Sequence, residues 1–151
     1  MNGPHDMGGQ QNFGPVDARD KPAFTEDWQR KAFSLTLAMG AAKQWNLDIS
    51  RFARESLPPA EYLSSSYYEI WYAGLVNLML ERGLITEDEL AAGAMQVPAL
   101  DVPGPLKADD VPAVLARGGP VDRPVDVPAR FSVGDTVRAK VQHTRTHTRL
   151  P

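Results

Sequence analysis

Apolar positions recur at helical spacing in several stretches of this 151-residue chain and thin between them into connections rich in proline and glycine. The strongest signal lies in residues 58–83, PPAEYLSSSYYEIWYAGLVNLMLERG. Ser66 followed by Glu69 has the spacing of a capping box, in which each side chain satisfies the other residue's backbone N–H, so a helix is expected to start near Tyr67. Ile70, Trp71, Leu75, Leu78 and Met79 then form one wide apolar stripe, and Gly83 supplies the left-handed residue that ends it. Tyr62, Tyr67, Tyr68, Trp71 and Tyr72 crowd the start of this stretch. Such a cluster serves packing and interfaces, or stands beside a reaction centre.

The flanking patterns are shorter. Thr25 is a plausible N-cap, with Glu26 and Asp27 in the first turn, for a helix of about 18 residues whose apolar positions are Trp28, Ala32, Phe33, Leu35, Met39 and Ala42, closed by Trp45. Asp48 is placed to cap a second helix, ISRFARES, that stops before Pro58 and Pro59. Ile49, Phe52 and Ala53 form its apolar side, and Arg51 stands at the margin of that side. An arginine there is either a snorkelling surface residue or a fixed fork for an anionic group. Thr86 and Glu89 form another capping box, for a short helix through about Gly93.

Outside these helices the chain changes character. Residues 1–23 carry Gly3, Gly8, Gly9, Gly14, Pro4, Pro15 and Pro22 and few anchoring apolar residues, which predicts an extended arm that is disordered when alone or gains order by lying on a partner. Residues 24–95 make a helical domain. Residues 96–130 are proline-rich, interrupted by DDVPAVLARGG, a brief helix with Pro112 in its first turn and Gly118 at its end. This is a long wrapping connection, of a kind expected to travel across a partner's surface. Residues 131–151 begin FSVGDTVRAKV, a Gly-Asp turn and then Val137, Ala139 and Val141 alternating with Arg138 and Lys140, the period of a half-buried strand. One strand opens a sheet that the sequence here leaves incomplete. The fold class is mainly α.

Composition narrows the functions. No run approaches the roughly 20 apolar residues of a membrane span, and MNGPHDMGG has neither a basic start nor an apolar stretch, which points to a soluble cytoplasmic protein. The absence of cysteine excludes disulfides and thiolate metal ligands from this chain. The net charge of −3 is uneven: in residues 130–151 five basic residues face Asp135 alone, leaving the remainder acidic. No aromatic residue follows Phe131 to stack on bases, so nucleic-acid binding is not expected. His143 and His147 lie four apart, but the surrounding threonines are poor helix formers and no carboxylate is near, so no metal site is expected. Nor is there a Ser/His/Asp signature, a phosphate-binding glycine loop or a paired-carboxylate motif. Read without comparison, the chain is a helical interaction module.

Four segments carry a resemblance: MNGPHDMGG with Gly14-Pro15, AFTEDWQRKAF, RFARESLPPAEYLSSSYYEIW and the terminal FSVGDTVRAKVQHTRTHTRLP. Together, and in order along the whole chain, they resemble the beta subunit of nitrile hydratase. The resemblance implies an alpha/beta heterodimer, a lyase that hydrates small nitriles to amides. It implies iron(III) or cobalt(III), non-haem or non-corrin, bound by an alpha-subunit cysteine cluster in which two thiolates are oxidised. It also implies that residues 131–151 begin an SH3-like barrel. By position, Arg51 and Arg149 match arginines that bind the oxidised cysteine oxygens, and Tyr67 matches a tyrosine of the active-site hydrogen-bond network. Trp71 and Leu47 match walls of the substrate pocket, and Tyr68 joins them as a substrate-binding candidate. The mechanism implied is Lewis-acid activation, with water or an oxidised cysteine oxygen attacking the nitrile carbon.

The sequence departs from that pattern at Ile70, where some relatives have histidine, and at Ser50, where a relative has an aromatic pocket residue. It also ends just after Arg149, where the family's barrel would continue. A shortened chain fits, and so does a naturally split subunit with a separate chain carrying the barrel, as in the related thiocyanate hydrolases. The alternative class is a non-catalytic accessory protein that delivers the metal-loaded alpha subunit, since such helpers resemble the helical half.

Overall fold

The computed structural model describes residues 3–6, 11–118, 124 and 126–138. The helical order is α1 (Asp27–Ala41), α2 (Leu47–Glu55), α3 (Pro59–Ser64), α4 (Tyr67–Glu81), α5 (Glu87–Ala92), a 3-10 turn (Ala108–Asp110) and α6 (Val111–Arg117). The chain divides between Leu106 and Lys107 into two units, the first holding α1–α5.

α4 is the centre of the first unit and packs against both α1 and α2. Its capping box forms as expected, the Ser66 N–H donating to Glu69 at 2.7 Å. The Ser66 hydroxyl and N–H together hold the Glu69 carboxyl below its ordinary range. At its other end Gly83 takes φ +65°, with the Leu84 N–H donating to the Met79 carbonyl at 2.8 Å and the Gly83 N–H to Leu80 at 3.0 Å. This is a Schellman closure, and Leu84 and Met79 both pack on the core it delimits. Residues 58–83 therefore form two helices, because the extended backbone of Ser65 separates α3 from α4.

Several helix ends differ from expectation, each for a local reason. α1 is capped by Glu26, whose box partner is Gln29, and the Thr25 N–H donates to the Gln29 side chain. The helix stops at Ala41 because Lys43 adopts φ +60° and closes a second Schellman motif, with the Gln44 N–H on Met39 and the Lys43 N–H on Gly40. Trp45 thus lies beyond the helix and turns back into the core with Leu75 and Leu78. Leu35, assigned to the apolar stripe by spacing, is 49% exposed, and the buried position near it is Thr36, whose hydroxyl donates to the Ala32 carbonyl. α2 is capped by Asn46 in place of Asp48: its side chain accepts the Ile49 N–H at 2.8 Å.

α5 follows its capping box and ends at Gly93, and α6 has proline in its first turn and Gly118 at its end, both as expected. Residues 132–135 form the expected turn, in which the Asp135 N–H donates to the Ser132 carbonyl and the Ser132 N–H to the Asp135 carboxylate. No strand occurs among the described residues, and Ala139 and Val141 of the expected strand lie outside them. An isolated strand leaves its ladder groups unpaired, and nothing among the described residues pairs with Val133 or Val137. Within the arm, residues 11–23 form neither helix nor strand. His5, however, rests on the chain's own helices, its ring edge-on to Tyr62 and its Nε2 3.7 Å from Glu55. No described helix is long and apolar enough to cross a membrane.

Candidate functional site

The site begins with a close approach of two helices. Gly74 is buried on α4, and a Cβ placed on it would stand 2.5 Å from Arg54 Cγ and 3.3 Å from the Arg54 backbone N. The missing side chain is what lets α2 lie against α4 here, a reason for tolerating glycine inside a helix where it costs about 1 kcal/mol. The Arg54 stem runs over Gly74, and its guanidinium reaches the Trp71 ring, 4.0 Å from the centroid. Its Nε donates to the Ser50 carbonyl at 3.0 Å and its Nη2 to the Ser50 hydroxyl at 3.3 Å.

Beside this contact α2, α3 and α4 enclose a cleft of about 280 Å³. Leu47, Arg51, Arg54 and Glu55 come from α2, Tyr62 from α3, and Tyr67, Ile70 and Trp71 from α4. One wall is aromatic: Trp71 lies 5.6 Å from Phe33 and 5.9 Å from Tyr67, centroid to centroid. Tyr67 and Leu47 are largely exposed, whereas Trp71 is half-buried and its indole N–H finds no acceptor among the described residues. Arg51 is half-buried, and among the described residues its guanidinium has no hydrogen-bond or ion-pair partner. Such a group is a ready fork for a carboxylate-like or oxyacid anion, while the indole and Leu47 offer an apolar face to a small molecule.

The structure thus brings together four of the six residues singled out in the sequence: Arg51, Tyr67, Trp71 and Leu47. Tyr68 does not line the cleft; its ring lies 5.1 Å from Phe24, toward α1. The reading of Arg149 falls outside the described residues, as do those of His143 and His147. Arg54 and Glu55 were missed, whereas Tyr62 belongs to the aromatic cluster that the sequence marked as a candidate neighbour of a reaction centre. Arg54 and Glu55 follow Arg51 at i+3 and i+4, the spacing that puts three side chains on one helix face, and that signal was available. A larger cleft of about 520 Å³ runs along α5, but its carboxylate, Glu89, is already committed to backbone donors. The N–H groups of Gln96, Thr86 and Val97 hold the Glu89 carboxyl down to about 2.

The chain has no cysteine, and no group of three or more His, Asp or Glu side chains among the described residues is placed to share a metal ion. The described residues of this chain therefore do not by themselves assemble a ligand set for a metal ion.

A family model described as "Nitrile hydratase beta subunit, N-terminal" matches residues 1–116. The low-molecular weight cobalt-containing nitrile hydratase subunit beta of Rhodococcus rhodochrous is 35% identical over 99% of this chain and 70% of its own length. The nitrile hydratase subunit beta of Pseudomonas putida is 38% identical over 100% of this chain and 69% of its own length. The cobalt-containing subunit beta of Pseudonocardia thermophila is 32% identical over 99% and 67%.

Proposed function

The chain belongs to the nitrile hydratase beta-subunit family, and from that premise we propose that it is the beta subunit of a nitrile hydratase. It pairs in the cytoplasm with an alpha subunit, which holds the metal in an oxidised cysteine cluster, and the complex adds one water across a C≡N bond to give the amide. Cobalt is favoured over iron, because two of the relatives are named as cobalt-containing. Residues 1–23 and 96–130 lie along that partner, and residues 131–151 begin the barrel.

The observation that carries this reading is the meeting of Leu47, Arg51, Tyr67 and Trp71 around one cleft. These residues are separated by up to 24 positions in sequence, and the α2/α4 approach over Gly74 makes them neighbours. In the complex the Arg51 guanidinium binds the anionic oxygens of the partner's oxidised cysteines by charge-assisted hydrogen bonds and holds them in one geometry. The Tyr67 hydroxyl, on an exposed ring, extends the hydrogen-bond network toward the substrate. Trp71 and Leu47 enclose the substrate's carbon chain and exclude water from it. Arg149, in the terminal HTRLP, supplies the second guanidinium.

The test is co-expression of the full chain with a family alpha subunit, followed by purification and measurement of amide formation from a small nitrile. A stable complex that forms amide is expected. A stable complex that forms none, but passes metal to the alpha chain, would replace this reading with that of an accessory protein.

A further inference from the structure

The Trp71 wall of the cleft needs something to hold it. Among the described residues its buried indole N–H has no acceptor, so no hydrogen bond from them fixes the ring's rotation. What touches its face is the Arg54 guanidinium at 4.0 Å, a distance at which a cation is drawn to the ring's electron-rich face. Arg54 is itself held at two points. Its guanidinium is anchored one turn back on α2 through the Ser50 carbonyl and hydroxyl, and Ser50 is 6% exposed. Its stem passes over Gly74, which shares a helix face with Trp71 at i+3.

We propose that Arg54 is a positioning residue, which fixes the Trp71 indole and thereby sets how bulky a nitrile the cleft admits. This rests on the cleft being the nitrile site described above. Arg54 acts through the ring, and its guanidinium is committed to Ser50 and Trp71, in contrast to that of Arg51. Its planar fork is suited to bonding Ser50 and stacking on the indole at once, a combination that lysine does not reproduce.

The experiment uses the full chain labelled with 5-fluorotryptophan and assembled with an unlabelled alpha subunit. The chain has three tryptophans, and Trp71→Phe assigns the third fluorine resonance. Arg54→Met, which keeps a long apolar stem, is expected to shift or broaden the Trp71 resonance and leave those of Trp28 and Trp45 in place. The ratio of KM for benzonitrile to KM for propionitrile is expected to change roughly fivefold, with a smaller effect on the ratio of kcat values. Arg54→Lys should recover part of both effects. An unmoved Trp71 resonance, an unchanged KM ratio, or a joint shift of all three resonances would overturn the proposal. The fluorine readout does not depend on turnover. If the wild-type complex forms no amide, the nitrile-site reading fails, and the clamp on Trp71 is decided by the resonance alone.

Discussion

Adding one methyl group at Gly74 should destabilise the protein, although the same change in an open helix would stabilise it. At an exposed helix interior, Gly→Ala gains about 0.8–1 kcal/mol through the unfolded chain's lost freedom. At Gly74 the new Cβ would meet Arg54 Cγ at 2.5 Å, with the Arg54 backbone N and Cα at 3.3 and 3.4 Å behind it. The side chain has no room to swing aside, because the obstruction continues into the α2 backbone. Relief requires α2 to move off α4 along the interface that carries the core. Overpacking of this kind costs ~1–3 kcal/mol, and backbone involvement puts it in the upper half of that range, for a net loss of about 1–2 kcal/mol. Gly40 is the matched control: its added Cβ would lie 3.7–3.8 Å from Trp45, an ordinary contact, so Gly40→Ala should gain roughly 0.5–1 kcal/mol. Urea denaturation of the full chain, followed by far-UV circular dichroism, should move the midpoint down for Gly74→Ala and up for Gly40→Ala at unchanged slope. A Gly74→Ala midpoint at or above wild type would refute the close-approach reasoning.

Two further outcomes follow from backbone and charge. Lys43 holds a left-handed conformation at the end of α1, so Lys43→Gly should raise stability by about 0.5–1 kcal/mol in the same assay, despite glycine's greater freedom in the unfolded chain. Glu89 has a folded pKa held down to about 2 from the ordinary 4.5, so its contribution is fully present above the ordinary value and is lost as pH falls through about 2. The Gln96 and Val97 amide resonances should therefore titrate well below 4.5, and a midpoint at the ordinary value would contradict the carboxylate contacts.

Much of the helical unit was legible because its signals are local. Ser66 with Glu69, Thr86 with Glu89, and the glycines at 83, 93 and 118 each mark a helix end through chemistry contained within a few residues. The end of α1 was not legible, because a left-handed lysine carries no compositional mark and Trp45 continues the apolar rhythm past the break. The caps Glu26 and Asn46 were not picked out because Thr25 and Asp48, within two residues of them, are favoured capping types, and backbone geometry decides between them. At the cleft, Arg51 was visible as a cation at the margin of an apolar face. Tyr67 and Trp71 were visible in the aromatic cluster, their roles and Leu47 came from family resemblance, and the Arg54–Gly74 contact needed the packing of two helices, which sequence spacing on either one does not contain.

The most direct measurement is turnover of the assembled alpha/beta complex carrying Arg51→Ala, with metal content and subunit association measured on the same preparation. Loss of a partly buried guanidinium's charge-assisted hydrogen bonds should lower nitrile hydration by a factor on the order of 10–100, while association, metal content and helicity stay near wild type. Full turnover by that variant would contradict the placement of Arg51 at the reaction centre.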